Sequence, residues 1–171
     1  VLAATQIGLE PTQAAQALAN FRSTQRRFEF IGQKNGVKYY DDYAHHPHEV
    51  AAVIKTLEEW YPAQRRVIAF EPHTYSRTKQ LFTDFVTASA KAQDVILLDI
   101  FSSAREAKDP TVSSRKLAQA IEQAHHLPTH YLGSRAKLAE FCQTELKPGD
   151  VLLTVGAGNI YQVHKLIPNH A

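Results

Sequence analysis

The sequence has no methionine, a single cysteine and a single tryptophan among its 171 residues. One thiol excludes an internal disulfide and suits a reducing compartment. Cys142 falls in Leu138-Ala139-Glu140-Phe141-Cys142, an apolar helical spacing that predicts a buried, inert thiol. No apolar run approaches the roughly 20 residues needed to span a bilayer, and no basic segment precedes an apolar core at the N-terminus. The expected compartment is the cytoplasm, with no membrane partner. Lysine and arginine form no run: 19 of them against 17 acidic residues leave a net +2 spread over mixed-sign segments, so no nucleic-acid partner is expected. The missing methionine and the opening Val1-Leu2-Ala3-Ala4-Thr5, which reads as a helix already under way, create the expectation of a piece of a longer protein.

What is present supports one core of ordinary size, since 44% of the residues are hydrophobic. Residues 1–8 read as a helix end closed at Gly8, and a second short helix is expected from Glu10-Pro11-Thr12 to about Asn20. Arg27-Phe28-Glu29-Phe30-Ile31, the turn pair Asn35-Gly36 and Val37-Lys38-Tyr39-Tyr40 then predict a β-hairpin. Apolar strands follow at Val67–Phe70, Val95–Leu98, His130–Leu132 and Val151–Val155. Between and after them lie helical stripes: Val50, Val53, Ile54, Leu57 and Tyr61; Leu81, Phe82, Phe85 and Val86; Leu117 and Ile121; Leu138, Phe141 and Cys142; Ile160, Val163 and Ile167. Parallel neighbours require crossover connections, so the pattern predicts an α/β, Rossmann-like, mostly parallel sheet with helices on both faces and an N-terminal β-hairpin.

Polar residues gather directly after the strands, in Asp41-Asp42-Tyr43-Ala44-His45-His46-Pro47, Glu71-Pro72-His73-Thr74-Tyr75-Ser76-Arg77, Asp99–Glu106 and Gly156-Ala157-Gly158-Asn159. In an open parallel sheet the carboxyl ends of the strands share one edge, where ligands usually bind. Asp42 can accept from ribose hydroxyls, and Tyr43 and His45 offer flat faces with polar tips. Arg77, four positions after His73, has the planar fork that matches a carboxylate, and taken alone it fits better as a solvated residue in a first helical turn. Arg26 and Arg27 carry fixed cations suited to a transferring phosphoryl group, and an ordinary surface pair fits them equally. The Gly156-Ala157-Gly158 turn allows close backbone approach, or serves only as a tight turn. Asp41, Asp42, His45, His46, His48 and Glu49 could ligate a metal, but Pro47 starts the next helix and no rigid cage is spaced out, so no metal ligand is assigned. Ser134 is expected to cap a helix, and His125 and His126 to lie at a helix end.

As an ordered set, Arg26-Arg27-Phe28-Glu29, Asp41–Pro47, Phe70–Arg77, Phe101–Glu106 and Gly156–Ile160 resemble the C-terminal domain of the Mur ligases, and within that family the branch that joins L-alanine to UDP-N-acetylmuramate. The resemblance implies that residues 1–22 end a central ATPase domain and linker, and that 23–171 form the C-terminal domain. It also implies ATP, with Mg2+ bound mainly by the central domain, and L-alanine and UDP-N-acetylmuramate as partners of the full-length enzyme. Such an enzyme phosphorylates the muramoyl carboxylate, and the alanine amine then displaces phosphate; this domain alone is expected to be inactive. On matching positions, Arg27 contacts phosphate, Asp42 binds ribose and His45 lies beside adenine. Tyr43, His73, Tyr75 and Arg77 serve the amino acid, with Arg27 and His73 carried over as the catalytic pair.

Thr74 stands where many relatives have Arg, Glu71 where Gln is common and Asn159 where Asp is common, so the charge around the amino-acid pocket is expected to differ. A recycling ligase that attaches a preformed peptide to the same sugar shares the Asp41–Pro47 pattern, whereas His73–Arg77 is closer to the alanine branch. Two readings outside ligation stay open: a free-standing nucleotide or amino-acid binding module, and a metal-dependent hydrolase built on His45–Glu49.

Overall fold

A computed structural model describes residues 2–19, 24–104 and 106–167. In chain order the elements are α1 (Leu2–Thr5), α2 (Pro11–Ala19), β1 (Glu29–Lys34), β2 (Val37–Asp42), α3 (Pro47–Trp60), β3 (Arg66–Phe70), α4 (Tyr75–Gln80), α5 (Phe82–Ala88), β4 (Asp94–Leu98), α6 (Ser114–His125), β5 (Thr129–Gly133), α7 (Arg135–Thr144) and β6 (Val151–Val155). Short 3-10 segments cover Ser89–Lys91 and Ile160–Lys165. Helix α2 begins at Pro11 as expected, and Asn20 lies outside the described residues. Its buried residue is Ala14, consistent with a solvated appendage.

The six strands form one sheet in the order β1-β2-β6-β3-β4-β5. Only β1 runs antiparallel; β2, β6, β3, β4 and β5 are parallel neighbours. Lys34 pairs with Val37, so Asn35-Gly36 is a two-residue loop, and the positive φ of both residues (52° and 76°) is what a type I′ hairpin turn requires. Every residue of β3, β4 and β6 is buried, as expected of strands covered on both faces.

Alternation sorts those strands into two cores. Ile68, Phe70, Val95, Leu97, Val151 and Leu153 meet α3, α5 and α6 through Ile54, Leu57, Phe85, Leu117 and Ile121. Val67, Ala69, Ile96, Leu98 and Leu152 meet Leu138, Ala139 and Cys142 of α7 and Ile160 and Val163 of the last 3-10 segment. Cys142 is the buried thiol its spacing predicts, and burial pushes its pKa up to about 12, which keeps it protonated and unreactive.

Two helical expectations change form. The Leu81–Val86 stripe bends at Leu81 (φ −106°, ψ 23°), between α4 and α5. The turns are nevertheless continuous, because Leu81 N donates to Arg77 O and Phe85 N to Leu81 O, both at 2.9 Å. The Ile160–Ile167 stripe winds as 3-10, with Gln162 N donating to Asn159 O and Leu166 N to Val163 O. Three residues per turn still place Ile160 and Val163 on one inward side.

Candidate functional site

The carboxyl ends of β2, β6, β3 and β4 bring the four polar segments to one rim. Loop-to-loop bonds confirm the convergence: Gly156 N donates to Asp42 O at 3.0 Å, Phe101 N to Pro72 O and Thr74 N to Phe101 O, both at 2.8 Å. Arg105, in the third segment, lies outside the described residues.

The first segment is built around two buried aspartates. Asp42 is 5% exposed; its Oδ1 accepts from Ala44 N and its Oδ2 from Phe28 N, both at 2.7 Å. It thereby ties the stretch before β1 to the loop after β2. Asp41, 1% exposed, accepts from Arg26 Nε at 2.9 Å and from Thr154 Oγ1 at 2.6 Å. Burial raises its pKa, against the lowering effect of those two bonds. The hydroxyl of Thr154 has one proton, so a bond to Asp41 leaves its oxygen to accept from His164 Nε2, 2.9 Å away.

Arg26 is the hub of this network. Besides Asp41, its guanidinium donates to Gly158 O at 3.2 Å and to Gly156 O, and it lies 5.0 Å from the Tyr43 ring centroid and 4.5 Å from that of Tyr161. Arg27, the phosphate candidate, is exposed, with its guanidinium 5.9 Å from the same Tyr43 ring. The two arginines divide the work: Arg26 locks the rim and Arg27 faces outward. Residue type and spacing left them equivalent, because nothing local says which side chain turns inward; only the family resemblance singled out Arg27.

Pro47 takes the first position of α3, and Glu49 Oε2 accepts from His45 N (3.0 Å) and His46 N (3.1 Å), closing the helix start. Those backbone bonds hold the Glu49 carboxyl below its usual range. Two of the three acids in the supposed metal cluster, Asp42 and Glu49, are thus spent on backbone amides, and among the described residues no group of three His, Cys, Asp or Glu side chains is arranged to hold a metal ion.

From Tyr43 a chain of rings leads across the rim. His45 meets Tyr43 edge-on (centroids 5.4 Å apart) and His73 at 6.1 Å, and His73 stacks on Phe101 at 5.6 Å with 15° between the planes. Arg77 Nη1 is 3.4 Å from His73 Nδ1. Arginine can only donate, so Nδ1 accepts and the ring proton belongs on Nε2. Burial lowers the His73 pKa, helped by the Arg77 charge beside it, so the ring is neutral near pH 7. Tyr43, His45, His73 and Arg77 are therefore contiguous. Tyr75 stands apart from them, lining a cavity of about 500 Å³ with Asp99, Asp109 and Tyr131.

The Gly156–Gly158 turn has a packing reason. A Cβ on Gly158 would overlap Glu71 Oε2 and come within 2.6 Å of Phe101 Cγ; one on Gly156 would sit 2.7 Å from Glu71 O. Glu71 is 6% exposed and accepts from Ile160 N at 3.1 Å. Burial raises its pKa, partly offset by backbone bonds from Ile160 and Asn159. Beside it opens a cavity of about 550 Å³, lined also by Asp99, Phe101, Arg135 and Asn159. Thr74 carries backbone strain: φ 70° and ψ 141° are rarely adopted by a β-branched residue. It is held there by its bond to Phe101 O and by Thr78, whose N and Oγ1 donate to Thr74 O at 3.1 and 2.7 Å.

Residues 26–158 match the family model described as Mur ligase, glutamate ligase domain. The chain is 43% identical over 166 residues to a UDP-N-acetylmuramate–L-alanine ligase of Oleidesulfovibrio alaskensis, covering 95% of the chain and 36% of that protein. A ligase of the same name from Acidithiobacillus ferrooxidans is 43% identical over 157 residues, 92% of the chain and 33% of the relative. Among solved structures, the UDP-N-acetylmuramate-alanine ligase of Thermotoga maritima superposes with a TM-score of 0.76 at 20% identity, over 95% of this chain and 34% of that one. That likeness is one of fold. The chain spans about a third of the length of the relatives it matches.

Proposed function

Given that the chain belongs to the Mur ligase family, we propose that it forms the ATP-closing and amino-acid-binding part of a cytoplasmic ligase that adds L-alanine to UDP-N-acetylmuramate. The observation that supports this reading is the contiguous series Tyr43, His45, His73 and Arg77, with the exposed Arg27 over the Tyr43 ring, so that one rim carries a guanidinium at each end of a run of rings. Among the described residues no helix is long and apolar enough to cross a membrane.

In the proposed reaction a carboxylate oxygen of the muramoyl group attacks the γ-phosphorus of ATP, releasing ADP and leaving an acyl phosphate. The amine of L-alanine, having lost a proton, attacks the acyl carbon; the C–N bond forms and inorganic phosphate departs. The transferring group carries negative charge throughout, so a pre-placed guanidinium stabilises it without reorganisation, and Arg27 is assigned that role. Asp42 meets ribose hydroxyls through the lone pairs that Phe28 and Ala44 leave open, and His45 flanks the base. Arg77 pairs with the alanine carboxylate while Tyr43 borders the amino acid; Tyr75, which lines a separate cavity, is given no part in it. When Arg77 turns to that carboxylate, Nδ1 of His73 is freed, and a neutral imidazole there can take the ammonium proton. Mg2+, when bound, neutralises phosphate charge; the described residues of this chain offer it no three-ligand cage, and its ligands are assigned to the rest of the ligase. By the same division of labour, residues 1–22 are assigned to the end of the central domain and linker, and 23–171 to the C-terminal domain.

The test is phosphate release by the full-length ligase carrying this chain, with each of ATP, L-alanine and UDP-N-acetylmuramate omitted in turn. Release should require all three, and the 171 residues alone should release none. Equal release with a preformed alanine-led peptide in place of L-alanine would favour the recycling branch. Hydrolysis without amide formation, abolished by His45→Ala, would favour the metal-hydrolase reading.

A further inference from the structure

Helix α4, which carries Arg77, has only six residues and no cap of its own. Thr74, at its N-terminal boundary, is held at positive φ and its side chain makes no capping bond. The N–H groups of a helix's first turn have no partner within the helix, so the direction of this turn, ahead of the bend at Leu81, depends on acceptors from outside. The missing acceptors arrive from another loop: Tyr75 N donates to Glu106 Oε2 at 2.7 Å and Ser76 N to Glu106 Oε1 at 2.8 Å, across 31 and 30 residues. The same loop grips the helix elsewhere. His73 bridges Phe101, Thr74 N donates to Phe101 O, and Lys79 Nζ pairs with Asp109 at 2.9 Å.

We propose that Glu106 is a positioning residue for the amino-acid side of the site: by capping α4 in trans, its carboxylate fixes the direction from which Arg77 approaches the substrate carboxylate. The proposal rests on the amino-acid role assigned to Arg77 above. Arg77 is the third residue of α4, within the turn whose first two amides Glu106 holds, so rotation of that turn moves the guanidinium directly. The carboxylate is also the right group for this place. Two parallel N–H donors at a positive helix end match its two oxygens, and bonds from Ser76 and Tyr75 keep it ionised by lowering its pKa. Lys79–Asp109, although it joins the same two segments, is exposed and contributes little to their geometry.

The experiment compares Glu106→Ala, Glu106→Gln, Arg77→Ala and the Glu106→Ala/Arg77→Ala double variant in the full-length ligase, with Asp109→Ala as a control. Loss of a cap of ordinary strength should raise the KM for L-alanine about tenfold in Glu106→Ala. The KM for ATP should stay within about twofold, a split that general loss of structure would not give. Glu106→Gln, which keeps one acceptor oxygen, should fall between parent and Ala. In the Arg77→Ala background, Glu106→Ala should have no further effect on the alanine KM, because its influence passes through Arg77. Separately, amide hydrogen exchange of the 171-residue chain should show faster exchange at Tyr75 and Ser76 in Glu106→Gln and unchanged exchange there in Asp109→Ala. An unchanged alanine KM in Glu106→Ala, or effects of Glu106 and Arg77 that multiply independently, overturns the proposal. If Arg77→Ala itself leaves the alanine KM unchanged, the amino-acid assignment fails, whatever the exchange data show for the cap.

Discussion

Replacing Asp42 by alanine should destabilise the chain as well as weaken nucleotide use, because the carboxylate holds two backbone amides besides the ribose role proposed for it. Phe28 N and Ala44 N each donate to a separate oxygen at 2.7 Å, and the residue is 5% exposed. Alanine leaves both donors without their acceptor. An orphaned buried donor costs about 1–3 kcal/mol, and since Phe28 is only half-buried and water can reach its amide, we take a total of about 2–4 kcal/mol. For a domain of this size each kcal/mol lowers Tm by about 2–4 °C, so the expected fall is about 4–16 °C. Asp42→Asn retains one acceptor oxygen and presents an NH2 group to the other amide, and should lie between Asp42→Ala and the parent. The assay is thermal unfolding of the 171-residue chain without nucleotide, supported by urea titration at constant m-value. A Tm for Asp42→Ala equal to the parent's would refute the reasoning and leave Asp42 a ligand contact alone.

Glu71→Gln should raise Tm near pH 7.5 and lose that advantage near pH 4. The folded-state pKa of Glu71 is raised, so the stability it contributes is present below its unfolded pKa and is lost as pH rises through the folded one; a lower Tm for the Gln variant at pH 7.5 would contradict this. His164 behaves oppositely. Burial lowers its pKa from 6.5 to about 4, so its contribution is present above pH 6.5 and lost as pH falls through 4; the parent should lose about 3 kcal/mol more than His164→Gln over that window, measured by urea unfolding. Gly158→Ala should cost about 1–3 kcal/mol or more, as expected of overpacking, because the new methyl meets Glu71 and the Phe101 ring; an unchanged unfolding midpoint would show that the turn can give way.

Much of the fold was legible because its determinants are local. Asn35-Gly36 specifies its turn through backbone conformation, and the strands announce themselves by continuous apolar runs whose alternate residues feed the two cores. Ser134 caps α7 as its position implied, with its hydroxyl accepting from Lys137 N at 3.3 Å. His125 does end α6, but its ring bonds Val86 O at 2.8 Å, and His126 closes the helix in a left-handed conformation. Distance in sequence hid the rest. Glu106 caps a helix 30 residues away, and no local pattern marks it. The bend at Leu81 and the 3-10 winding after Ile160 follow from packing onto the sheet, which the hydrophobic stripes reveal only as inward-facing positions. Which arginine of Arg26-Arg27 turns inward depends on Asp41 and the Gly156 and Gly158 carbonyls, all brought in by the fold. The departures at Glu71 and Thr74 now have physical addresses. Glu71 is buried under the glycine turn, and Thr74 stores strain at the start of the helix that carries Arg77.

The central claim, that the His73–Arg77 pair receives the amino acid on a rim whose other side takes ATP, is tested most directly by steady-state kinetics of Arg77→Ala in the full-length ligase. A removed carboxylate partner should raise the KM for L-alanine about a hundredfold while the KM for ATP stays within about twofold. Equal alanine KM values for variant and parent would contradict the account.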